Sequence, residues 1–136
     1  MILLRNQRKA ALARTLSTLS AIFGAVCCLI ALAHIAIGPA SIPGSVPVNA
    51  TMDSEDRFYA TLFLGFGAAM IWASRDLSER RRLFQALLLV FFLGGIARLI
   101  SVAAVGWPNA LFVFLTVVEL VLPPVFIWMH RRAYPG

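Results

Sequence analysis

Charge is scarce in this chain of 136 residues: Asp, Glu, Lys and Arg together make up 13% of it. A soluble domain carries about 25% charged residues, so the composition is wrong for water. Disorder is excluded too, because it requires low hydrophobicity with high charge. Cysteine is nearly absent. Cys27 and Cys28 are adjacent inside an apolar run, which gives neither the C-x-x-C redox spacing nor a zinc spacing. Neighbouring cysteines on a helix point about 100° apart and do not normally bridge each other, so they read as small packing residues. Only two histidines are present, and no H-E-x-x-H, G-x-S-x-G or phosphate-binding loop occurs. The expectation is therefore a protein that is not an enzyme and carries no cofactor or metal.

What is present is apolar. Hydrophobic residues make up 60% of the chain and the mean hydropathy is +0.85. A spanning helix needs about 20 apolar residues, so the length has room for four spans and little else. No internal repeat or low-complexity segment interrupts this pattern. The fold class predicted is all-α: an integral membrane four-helix bundle in one domain.

Net charge is +6 and the pI is near 10.7, values that in a soluble protein would suggest nucleic acid. Ten of the twelve basic residues instead fall into three clusters. These are Arg5, Arg8, Lys9 and Arg14; Arg75, Arg80, Arg81 and Arg82; and Arg131 with Arg132. No nucleic-acid fold or stacking platform accompanies them, so nucleic acid is not expected as a partner. The positive-inside rule accounts for all three, with attraction to anionic membrane lipids as a by-product.

Residues 15–52 contain no charge, and the first span is read over 16–37, ended by Gly38-Pro39. A signal peptide is the rival reading, with Ala31-Leu32-Ala33 as its cleavage site. A signal core is only about 7–15 residues, however, and this run is longer. Residues 38–56 form a loop in which Pro39, Pro43 and Pro47 prevent continuous helix. Ser54 or Asp53 is the expected N-cap of a second span over 57–74. Arg75–Arg82 is a charged turn, and the third span covers 83–105. Gly106-Trp107-Pro108-Asn109 breaks the run, with Pro108 suited to starting the fourth span at 110–129. All three basic clusters then lie on one side. The sequence predicts cytoplasmic N- and C-termini, a periplasmic loop 38–56, and a multi-pass location in a bacterial inner membrane.

Topology leaves several polar groups unexplained. Arg98 lies about 7 residues from the outer end of the third span, roughly 10 Å deep. Glu119 lies roughly 14–15 Å from the same face on the next span. Joined by a tight turn, the two spans are antiparallel neighbours, and Arg98 can reach Glu119. Either residue alone would cost about 2.5–3.5 kcal/mol in the membrane. Gly94, Arg98 and Ser101 share one face of the third span, and Thr116 shares a face with Glu119. Pro123 removes the amide that would bond the Glu119 carbonyl and predicts a kink. At the outer mouth of the second span stand Glu55 and Arg57, while His34 lies one turn inside the first. The candidate site is therefore His34, Glu55, Arg57, Arg98, Ser101, Thr116 and Glu119.

Two readings compete for this cluster. It is either an ion-pair lattice locking the helices, or an outward-facing pocket. The pocket reading predicts a protein that binds or moves a small amphipathic or anionic molecule, with Arg57 and Arg98 as the anion site. The alternative is a non-catalytic accessory subunit with a membrane-protein partner. A dual-topology multidrug exporter ranks behind both, because its insertion needs a weaker charge bias.

Three stretches resemble one family. Ser54-Glu55-Asp56-Arg57-Phe58-Tyr59 running into Leu64-Gly65-Phe66-Gly67 is similar to its second helix. Gly94-Gly95-Ile96-Ala97-Arg98-Leu99-Ile100-Ser101 with Gly106-Trp107-Pro108 resembles its third, and Val118-Glu119-Leu120 with Pro123-Pro124 its fourth. The family is a bacterial four-helix membrane family, domain-of-unknown-function family 4345, and the likeness runs from about Leu16 to Arg132. Ala60-Thr61 departs from its pattern, which has glycines after the aromatic residue. The resemblance implies a polar centre of Glu55, Arg57, Arg98 and Glu119, and no reaction.

Overall fold

The computed structural model describes residues 1–135. Four helices carry the chain: α1 (Ile2–Ile37), α2 (Ala50–Ser74), α3 (Arg81–Val105) and α4 (Ala110–Ala133). There is no strand among the described residues. The basic N-terminal stretch continues α1 instead of preceding it, so this helix is about 54 Å long, well beyond a hydrocarbon core of about 30 Å. It stops at Gly38, whose φ of 77° is a left-handed backbone that glycine adopts readily, and Pro39 follows in a short 3₁₀ turn, Gly38–Ser41.

The start of α2 corrects the sequence reading. Asn49, not Asp53 or Ser54, is the N-cap, and its side chain accepts from the Met52 amide at 3.0 Å. Asp53 therefore lies in the first turn, where the helix dipole favours a carboxylate. α4 starts at the expected residue: Asn109 caps it, accepting from the Leu111 amide at 3.0 Å, and Pro108 stays outside. Through Pro123-Pro124 the chain remains one helix, with Pro123 buried. Its last turn carries His130, Arg131 and Arg132, which suit the negative end of the dipole.

Around the bundle the helices follow the order α2, α1, α4, α3. The pair α1 and α2 packs most extensively, while α2 and α3 touch least of the helix pairs in contact. Glycine sets two of the close approaches. A Cβ at Gly24 would lie 2.7 Å from the Gly67 carbonyl oxygen, and one at Gly67 equally close to the Gly24 carbonyl. Between α3 and α4, a Cβ at Gly95 would lie 3.0 Å from that of Glu119.

The core occupies one end only. Leu16, Met70, Leu77, Phe84, Leu88 and Phe126 interlock near the basic turn. Ser17 donates to the Ser74 carbonyl at 2.6 Å, and the Nε2 of buried His130 lies 2.9 Å from the Leu77 carbonyl. Outside, large side chains such as Leu89, Leu93, Ile100 and Val121 are exposed. Exposed apolar surface on this scale belongs in lipid. The stretches Ile2–Ser41, Arg81–Val105 and Ala110–Ala133 are long and apolar enough to cross a membrane. The second expected span is the exception: the charge-free stretch of α2, Phe58 to Ser74, includes Tyr59, Thr61, Gly65 and Gly67 and falls short of that criterion.

Candidate functional site

Toward the loop end the bundle is hollow. All four helices wall a half-open cavity of about 580 Å³, within the range of about 300–1,000 Å³ typical of small-molecule sites. Small residues create the space. Ala31, Ala60 and Gly94 line it, and a Cβ at Gly94 would meet nothing within 4 Å. Aromatic rings separate it from the core: Phe23 meets Phe91 edge to face at 4.7 Å, and Phe66 stacks on Phe91 at 6.0 Å. The weak α2–α3 seam is the side on which the packing is thinnest.

Two polar pairs stand in these apolar walls. Arg98 Nε donates to both Glu119 oxygens, at 2.9 and 2.8 Å, joining α3 to α4. Gly95 makes this possible, because only a residue without Cβ lets α3 lie against Glu119 one turn before Arg98. His34 Nδ1 lies 3.0 and 3.2 Å from the Asp56 oxygens, joining α1 to α2. All four side chains line the cavity. Glu119 is buried, whereas Arg98 keeps 39% of its side chain exposed.

The other expected residues fall elsewhere. Arg57 lies at the loop end, outside the cavity lining. It donates to Asp53 at 2.8 and 3.2 Å and to the Ile35 carbonyl, satisfying an orphan acceptor of the α1 C-terminus. Asp53 and Arg57 press on Gly38, where a Cβ would lie 2.7 Å from a carboxylate oxygen. The Arg57 guanidinium holds the Asp53 carboxyl below its ordinary range. Glu55 is exposed on another face of α2. Ser101 and buried Thr116 line a second groove of about 280 Å³ with Pro108. The Thr116 hydroxyl is occupied, donating to the Phe112 carbonyl at 2.8 Å. Arg98 and Phe112 border both hollows, with the guanidinium carbon 5.4 Å from the ring centroid.

Asp56 is the residue that sequence reasoning missed. It neighbours Glu55, but one residue along a helix turns the side chain by about 100°, enough to separate the cavity face from solvent. The available signal was a histidine one turn inside the loop end, facing a helix that opens with four acidic or hydroxyl residues. Among the described residues, no three His, Cys, Asp or Glu side chains are grouped to hold a metal ion.

Fold and cavity together define a small helical membrane protein with a hollow between its helices. The sequence profile of the family described as "Domain of unknown function (DUF4345)" matches residues 15–130, and the chain belongs to that family. Comparison with curated proteins and with solved structures gives no match in either.

Proposed function

We propose that this protein binds a small amphipathic molecule between its helices and performs no chemistry on it. The observation that carries this reading is the cavity of about 580 Å³, largely apolar and charged only at His34–Asp56 and Arg98–Glu119. A hollow with such walls is a poor place for water, which needs two to four polar partners. An apolar body in the cavity with its polar end at these polar pairs satisfies both kinds of lining. In this proposal α1 to α4 all cross an inner membrane, the termini are cytoplasmic and the cavity lies in the outward half. Membrane lipids surround the bundle, and the loose α2–α3 seam is the entrance.

The test is extraction of the protein with its surrounding bilayer, followed by mass spectrometry of what accompanies it. A Gly94→Trp variant serves as control, because Gly94 lines the cavity and a Cβ there meets no protein atom within 4 Å, so the indole takes up ligand space. The expected result is one amphiphile near stoichiometric amount in the wild type and its loss in Gly94→Trp. A protein partner at fixed ratio, with no small molecule depleted in the variant, would make the accessory-subunit reading the correct one.

A further inference from the structure

We infer that the occupant of this cavity carries an uncharged carbonyl acceptor at its polar end, as a lipid-soluble quinone or an acyl ester does. The inference rests on the cavity-binding reading and adds the chemistry of the ligand's head. Besides the neutral Cys27 thiol and Tyr59 phenol, four side chains that can carry charge near neutral pH line the cavity: His34, Asp56, Arg98 and Glu119. With His34 neutral they sum to one negative charge, and with His34 protonated they sum to zero. In neither state is there a surplus positive charge to neutralise an anionic head. A carboxylate or phosphate entering here would face Glu119 and Asp56 in a medium that screens little.

The open donors of Arg98 then favour a head that accepts, which a cation without lone pairs beside that guanidinium does not do. Both oxygens of Glu119 accept from Arg98 Nε, and both oxygens of Asp56 lie within hydrogen-bond distance of His34 Nδ1. Each carboxylate thus shares one N–H between its oxygens and keeps further lone pairs, so what lacks a partner among the donors is Arg98. Arg98 keeps its two Nη amino groups, for which the described residues supply no acceptor, at the wall shared by the large cavity and the outer groove. A guanidinium is a donor only. These open donors therefore call for an acceptor, and the lack of surplus positive charge calls for one without a negative charge. Aromatic walls (Phe23, Phe63, Phe66, Phe91 and Phe112) supply faces for a flat ring or an apolar chain behind that head.

The experiment measures the thermal stability and ligand affinity of the purified protein with four probes. They are a short-chain prenylated naphthoquinone, monoolein, oleate and tetraphenylphosphonium. The first two are uncharged carbonyl lipophiles, and at least one should raise Tm and bind saturably. Which of them binds identifies the source, quinone or acyl ester. Gly94→Leu, which projects a branched side chain into the hollow, should weaken or abolish the effect. The paired change Arg98→Met with Glu119→Leu removes the donors without stranding a charge. It should weaken binding about ten- to a hundredfold, the loss of hydrogen bonds from a charged donor. If the paired variant fails to fold, Gly94→Leu and the order of probe affinities decide. Preference for oleate or tetraphenylphosphonium would overturn the charge argument and leave cavity binding standing. No binding of any probe, or binding unchanged in Gly94→Leu, would overturn both.

Discussion

Arg98 and Glu119 illustrate how the membrane turns a pair of side chains into a constraint. A carboxylate buried beside an arginine is tolerable, but either one left alone is a charge in a medium that solvates it poorly. Arg98→Ala and Glu119→Ala should each destabilise the protein by about 1–3 kcal/mol, seen as a lowered Tm. The double apolar variant should recover part of the loss, and simple additivity in the cycle would mean that the residues do not interact. This pair could be read from sequence because both residues interrupt apolar runs at similar depth on helices joined by a short turn. The pair His34 and Asp56 could not, for a different reason: Asp56 stands among acidic residues that look like loop. Moving the N-cap back to Asn49 places Asp56 in the second turn of α2, where it faces His34. Arg57 illustrates the converse. Its position near a mouth suggested an anion site, yet the α1 carbonyls and Asp53 already hold it.

Helix identity and order were legible because apolar runs are separated by strong breakers, Gly38-Pro39 and Gly106-Trp107-Pro108. Helix contacts were less so, since glycine spacing does not reveal which glycine faces a neighbour. Gly65 and Gly67 lie two residues apart on α2, yet only Gly67 meets the Gly24 backbone, while a Cβ at Gly65 would meet nothing. The same split occurs on α3, where Gly95 touches α4 and Gly94 opens into the cavity. Alanine separates the two kinds. Gly67→Ala and Gly95→Ala should lower Tm, because backbone or a packed side chain must shift to make room. Gly65→Ala and Gly94→Ala should leave Tm unchanged or raise it, since alanine favours helix by about 1 kcal/mol over glycine. Equal losses at all four positions would contradict these contacts.

For the whole molecule, the unsettled element is α2. Three helix stretches are apolar enough to cross a membrane by composition, and α2, opening with Asp53, Glu55, Asp56 and Arg57, is not one of them. Except for exposed Glu55, the charged groups of its opening have partners: Asp56 faces His34, and Arg57 bonds Asp53 and the end of α1. Gly24 and Gly67 then bring the two backbones together along the middle, and Ser17 reaches the Ser74 carbonyl at the far end. These contacts give α2 a polar partner at both ends and a close-packed face between them. We therefore expect α1 and α2 to enter the bilayer as a hairpin, with α1 supplying hydrophobicity that α2 lacks. The three basic clusters fall at one end of this arrangement and residues 38–56 at the other, which the positive-inside rule assigns to the cytoplasmic and opposite faces. Reporter fusions after Arg82 and after Arg132 should report the cytoplasm, and one near Val48 the opposite side. Fusions after Val48 and Arg82 that report the same side would show that α2 does not cross. In that event α1 and α3 could not share a cavity with it, and the site built on His34, Asp56, Arg98 and Glu119 would fall with the topology.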